Sequence, residues 1–203
     1  MGTQVDNTVS FIQMKDGTKE DYQLLRQLEE PYLAMTSDRL LRELRLQAED
    51  TLSGYKITRL EHALQSATRA ENDCADTDWI VAALLHDIGD GLAPQNHDRF
   101  AAEILRPFVR EEVTWVVEHH GLFQMLYYAH HLGWDPEERQ KYKDHPYFKS
   151  CADFCERWDQ SSFDPDYPMN TLEHFEPMVR EVFARKAYDP SVICEGEVRG
   201  LTG

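Results

Sequence analysis

Apolar residues along this chain recur at intervals of three and four and hardly anywhere in strict alternation, so the pattern predicts helix from end to end. The spacing marks helices over Lys19–Glu30, Asp38–Glu49, Arg59–Asp73, Asp76–His86, His97–Leu105, Glu111–His120, Phe123–His131, Glu137–Tyr142, Lys149–Gln160 and Thr171–Ala184. Gly and Pro collect between these stretches, at Gly54, from Gly89 to Pro94, from Gly133 to Pro136 and from Asp164 to Pro168. Beyond Ala187 no periodic face remains, which predicts an extended tail over 187–203. A chain of 203 residues is enough for one sizeable core, so the expected fold is all-α: one domain over 1–203, its core spanning about 19–186.

The helix phases also carry chemistry. Val113, Val116, Val117 and His120 fall on one stripe, which turns His120 inward and swings His119 about 100° away. Ile80, Ala83, Leu84 and Asp87 repeat the pattern and aim a carboxylate into the core beside His86. Cys151, Phe154, Cys155 and Trp158 form a third inward stripe with Asp159 at its edge. His62 is different, because Leu60, Ala63, Leu64 and Ala67 define a stripe that leaves it on the opposite side. A lone inward His or Asp is usually a hydrogen-bonded core residue, but two inward carboxylates among histidines, with few inward Lys or Arg, require positive charge that a metal supplies.

Composition narrows the partners. The 37 acidic and 21 basic residues give a formal charge of −16, which repels a phosphate backbone and excludes nucleic acid as a natural partner. No run is apolar enough to span a membrane and no secretory signal pattern opens the chain, so a cytoplasmic protein is expected. Met1-Gly2 begins like a myristoylation signal, but Asp6 stands where Ser or Thr is needed. Cys74, Cys151, Cys155 and Cys194 are too few for a disulfide framework and are expected as reduced thiols.

The ordered series His62, then His86-Asp87, then His97, His120 and Asp159 resembles the HD superfamily over about Tyr55 to Phe163. The resemblance implies an all-α HD-domain bundle around two iron ions. Asp87 would bridge the pair, His62, His86 and Asp159 would hold one ion, and His97 and His120 the other. Imidazole and carboxylate ligands without thiolate suit iron, and also manganese or zinc.

Two further stretches, Glu118-His119-His120-Gly121 and Arg157-Trp158-Asp159, look like the mixed-valent diiron oxygenases of this superfamily that cleave the carbon–phosphorus bond of 1-hydroxyphosphonates. That likeness implies O2 and a small phosphonate as substrates, with (R)-1-hydroxy-2-(trimethylammonio)ethylphosphonate giving glycine betaine and phosphate. The alternative is a dinuclear phosphohydrolase acting on a nucleotide or small phosphate ester. Asp90, directly after His86-Asp87-Ile88-Gly89, replaces the basic residue of many such hydrolases and is expected to repel a phosphate ester.

The chain departs from oxygenases acting on a primary amine. It lacks their Tyr-x-x-Glu ahead of the first His, and Gln124 replaces a Lys four residues after the fourth His. Arg157, Arg59 and His131 are then the candidate phosphonate donors. Phe123, Tyr127, Tyr128 and Trp158 are candidate faces for a quaternary ammonium, with Asp90 and Gln124 completing the expected substrate site. Tyr55 or Tyr32 is the candidate for the tyrosine that caps the open iron position in the family.

Overall fold

The computed structural model describes residues 7–49 and 54–202; the Met1-Gly2 and Asp6 signal considered above lies outside them. Among the described residues there are helices and turns and no β-sheet, so the protein is an all-α bundle. The main helices are α1 (Lys19–Ala34), α2 (Thr36–Leu46), α3 (Arg59–Asn72), α4 (Thr77–Leu85), α5 (His97–Leu105), α6 (Glu111–Tyr128), α7 (Phe148–Phe154) and α8 (Leu172–Phe183). A last short helix, α9, covers Pro190–Ile193.

Local chemistry sets the helix starts. At α3, Thr58 Oγ1 accepts from the Glu61 amide at 3.1 Å and the Glu61 carboxylate accepts from the Thr58 amide at 2.6 Å, a reciprocal cap that starts the helix one residue before Leu60. Asp76 caps α4 through the Trp79 amide. Helix α4 is the centre of the bundle: Asp78 and every residue from Trp79 to Leu85 are buried, so it has no solvent face and packs against α3, α6 and α8.

Three elements differ from the sequence expectation. The break expected between His120 and Phe123 is absent, and α6 runs through Gly121 to Tyr128 before tightening into a 3-10 turn over Ala129–Leu132. Glycine inside a helix costs only about 1 kcal/mol relative to alanine, too little to end an 18-residue helix that packs against α4, α5 and α7. The single helix expected over Lys149–Gln160 is α7 followed by a π turn over Cys155–Asp159, closed by the Gln160 amide bonding back to the Cys155 carbonyl. Residues Glu138–Tyr142 form a 3-10 segment where a helical turn was expected.

The tail is not extended along its length. It forms α9 and then returns to the body, where Leu201 is buried and the Gly200 carbonyl accepts from Trp79 Nε1 at 2.7 Å. Its anchor is Glu112, wholly buried, which accepts from the Arg199 amide at 2.9 Å, the Gly200 amide at 3.0 Å and Ser150 Oγ at 2.6 Å. Among the described residues no helix is long and apolar enough to cross a membrane. Replacing Glu112 by Ala leaves three donors without their acceptor, so we expect Glu112→Ala to lower stability by about 3 kcal/mol. Urea unfolding measures this, and limited proteolysis should show earlier cleavage after residue 187.

Candidate metal centre

Six side chains from five segments converge beside the end of α4. His86 and Asp87 follow α4 directly, His62 comes from the first turns of α3, His97 begins α5, His120 lies mid-way along α6, and Asp159 ends the π turn. Asp87 is the hinge of the group, because its two oxygens face different partners. Asp87 Oδ1 lies 3.1 Å from His120 Nε2 and 3.3 Å from His97 Nε2. Asp87 Oδ2 lies 3.5 Å from both His62 Nε2 and His86 Nε2. On that second side Asp159 Oδ1 completes the group, 3.3 Å from His62 Nε2 and 3.6 Å from His86 Nε2.

Each imidazole is held from behind. Nδ1 of His62, His86 and His120 donates to the carbonyls of Ser162, Ala83 and Val117 at 2.9, 2.8 and 2.7 Å. That fixes the tautomer and turns every Nε2 lone pair toward the centre, the arrangement found behind metal-bound histidines. His97 Nδ1 faces the Pro94 carbonyl at 3.4 Å and Asp90 Oδ1 at 3.5 Å.

The electrostatics call for a cation. Asp159 Oδ2 is buried and has no hydrogen-bond partner among the described residues, a cost that a bound ion removes. Burial alone would raise Asp87 and Asp159, but the surrounding imidazoles, with His86 foremost, hold both below the ordinary carboxylate range. Burial likewise pulls His120 down, yet the hydrogen bond and charge of Asp87 outweigh it and raise this imidazole to about 10. Without metal the two carboxylates thus favour a proton on His62 and on His120 as a substitute for positive charge. Four imidazoles and two carboxylates, with no thiolate among them, fit two divalent or trivalent ions of borderline hardness, and the side chains form three overlapping groups: His62, His86, Asp159; His86, Asp87, His120; and Asp87, Asp90, His97.

The phase argument misplaced His62 because it assumed one buried face on α3. Ala63 through Thr68 are all buried, and the far side is covered by residues 161–170. There Gln65 bonds the Asp164 carbonyl, Thr68 Oγ1 accepts from the Asn170 amide, and Arg69 donates to the Ser161 carbonyl. At the other wall the π turn adds one residue per turn, which buries both Trp158 and its neighbour Asp159. The thiols of Cys151 and Cys155 lie free and buried at that wall, donating to the Val116 and His120 carbonyls.

A cleft of about 420 Å³ opens on the Asp87, His97 and His120 side. Of the expected substrate residues, Arg59, Asp90, Gln124, Tyr127 and Tyr128 line it. Four others do not. Phe123 is wholly buried against Phe148 and Trp115. Arg157 and Trp158 both bind Asp73 Oδ2 at 2.8 Å, anchoring the π turn to the end of α3. His131 is exposed on the 3-10 turn after α6, where its ring meets His130. Tyr55 lines the cleft, stacked 5.3 Å from Phe163, whereas Tyr32 is exposed on α1 under the Arg39 guanidinium. Asp90 pairs with Arg59 at 2.7 Å, so its charge is already met and the expected repulsion of a phosphate ester loses its basis.

Gly121, Gln160 and Phe163 also line the cleft, though neither phase nor motif marks them as site residues. Phe163 stacks on the His62 ring at 4.5 Å, a contact between positions a hundred residues apart that no local periodicity reveals.

Residues 59–155 match the family model for the HD domain, and the matched stretch contains every member of the group except Asp159. Two curated proteins resemble the chain over part of its length. One is the [1-hydroxy-2-(trimethylamino)ethyl]phosphonate dioxygenase (glycine-betaine-forming) of Leisingera caerulea, 36% identical over 78 residues, covering 33% of this chain and 40% of that protein. The other is the hydroxymethylphosphonate dioxygenase of Gimesia maris, 39% identical over 70 residues, covering 29% of this chain and 35% of that protein. The chain therefore matches well under half the length of either relative.

Gly89 lets the His97 loop fold back onto the turn after α4. A Cβ there would stand 2.9 Å from both Cα and O of His97, which are backbone atoms and cannot step aside. We expect Gly89→Ala to destabilise the protein by about 1–3 kcal/mol through this overlap, measured by denaturant titration against wild type.

Proposed function

We propose that the protein is a diiron oxygenase that uses O2 to cleave the carbon–phosphorus bond of a 1-hydroxyphosphonate, with (R)-1-hydroxy-2-(trimethylammonio)ethylphosphonate as substrate and glycine betaine and phosphate as products. The observation that carries it is the divided Asp87 carboxylate, one oxygen toward His97 and His120 and the other toward His62 and His86, at the floor of a cleft. The partial likeness to two phosphonate dioxygenases supports the reaction class. His62, His86 and Asp159 would hold one iron and His97 and His120 the other, with Asp87 shared. When bound, the iron pair supplies dioxygen activation and the one-electron steps of the bond cleavage.

The chain's own residues bind and orient the substrate. Arg59 is the one Lys or Arg among the described residues lining the cleft, and its guanidinium also lies 3.7 Å from Asp87 Oδ2, so it can hold a phosphonate oxygen beside the metal pair. Exchanging Asp90 for substrate at Arg59 replaces one charge-assisted bond by another. Tyr55, Tyr127, Tyr128 and Phe163 supply aromatic surface to the same cleft. A trimethylammonium group has no N–H to donate, and each aromatic face contributes on the order of 0.5–2 kcal/mol to holding it. Tyr127 is itself steadied by its hydroxyl bond to Glu156 at 2.6 Å. Tyr55, which lines the cleft where Tyr32 does not, would cover the open side of the metal pair before substrate enters.

Reduced, iron-loaded protein given the trimethylammonio substrate should consume O2 and release phosphate in equal amounts. Absence of oxygen uptake with any 1-hydroxyphosphonate overturns the proposal, and anaerobic turnover of a phosphate ester favours the hydrolase. Tyr128→Leu should raise KM for the trimethylammonio substrate roughly 3- to 30-fold and leave hydroxymethylphosphonate little affected, as steady-state kinetics will show. Metal analysis should find two ions per wild-type chain, one in His97→Ala and none retained in Asp87→Ala.

A further inference from the structure

Helix α2 lies outside the stretch that matches the HD domain, yet its last turn reaches the centre. Gln47, the residue that ends α2, is buried, and its Nε2 donates to the main-chain carbonyl of Asp87 at 3.1 Å. The same carbonyl accepts from the Asp90 amide at 3.0 Å, so both of its lone pairs are engaged. From the other side Gln47 offers its own carbonyl to the Leu60 amide at 3.4 Å, beside Arg59 and two residues before His62. One residue thus ties the turn carrying Asp87 to the start of the helix carrying Arg59 and His62.

We propose that Gln47 is a positioning residue for the metal centre: by fixing the Asp87 peptide plane against the start of α3, it sets the aim of the carboxylate that two ions share. Its bond runs to the backbone of Asp87 and leaves both side-chain oxygens free, so Gln47 neither binds metal nor touches substrate. Removal of such a partner frees the peptide to rotate and misdirects the carboxylate toward both groups of histidines together. This rests on the metal-centre reading above. Partners behind metal ligands typically govern affinity by about 10–100-fold.

The test compares Gln47→Met, which keeps the length and loses the donor, with Gln47→Lys, which keeps a donor on a chain of similar reach. Iron(II) affinity is read anaerobically by chelator competition on the full chain, alongside thermal unfolding of the metal-free proteins. Gln47→Met should bind both ions about 10–100-fold more weakly, with a metal-free unfolding midpoint close to wild type, and Gln47→Lys should recover most of the loss. Hydrogen exchange of the metal-free Gln47→Met variant should quicken at the Asp90 and Leu60 amides. Wild-type affinity in Gln47→Met overturns the positioning role and leaves the metal centre standing. A fall in affinity confined to variants that also lose folded structure, with no recovery in Gln47→Lys, assigns Gln47 a structural role only. A wild-type chain that binds no metal overturns both readings.

Discussion

Two carboxylates buried among four imidazoles, with one guanidinium nearby, form the constraint around which the bundle is arranged. Little water reaches Asp87 and Asp159 from the cleft, and a buried, unpaired charge there costs several kcal/mol. The surrounding helices answer by turning every imidazole Nε2 toward the two acids and every Nδ1 of the buried three toward a backbone carbonyl. The polar cluster is therefore a directed donor set, open on one side where the cleft begins.

The remaining structure serves to hold these directions. Helix α4 has no exposed face, so the turn that follows it is fixed against α3, α6 and α8 together. The π turn at Cys155–Asp159 spends one residue out of register to bring Asp159 inward, and Asp73 fastens it through Trp158 and Arg157. Gly89 and the returning tail act further out, the first by letting the His97 loop approach, the second by closing over Trp79 through Glu112.

Much of this is legible in the chain. Periodicity alone places α3, α5 and α8 within a turn of their ends, and inward phase selects His120, Asp87 and Asp159. His62 was legible only through the ordered motif, because a helix buried on two sides has no single apolar stripe to read. The break at Gly121 and the unbroken helix to Gln160 were misread for related reasons: close packing keeps a glycine helical, and a π turn leaves no mark in a three-and-four pattern. Phe123, Trp158, Arg157 and His131 adjoin the right motifs in sequence, but helical rotation carries them into the core, onto Asp73 or to the outer surface. Phe163 and Gln160 reach the cleft from a loop and a turn whose path depends on tertiary contacts.

The central claim is that Asp87 stands between two metal ions, and anomalous diffraction at the iron edge from iron-loaded crystals tests it most directly. The account predicts two peaks flanking the Asp87 carboxylate, one among His62, His86 and Asp159 and the other beside His97 and His120. A single peak at saturating iron, or two peaks that leave Asp87 bound to only one of them, contradicts it.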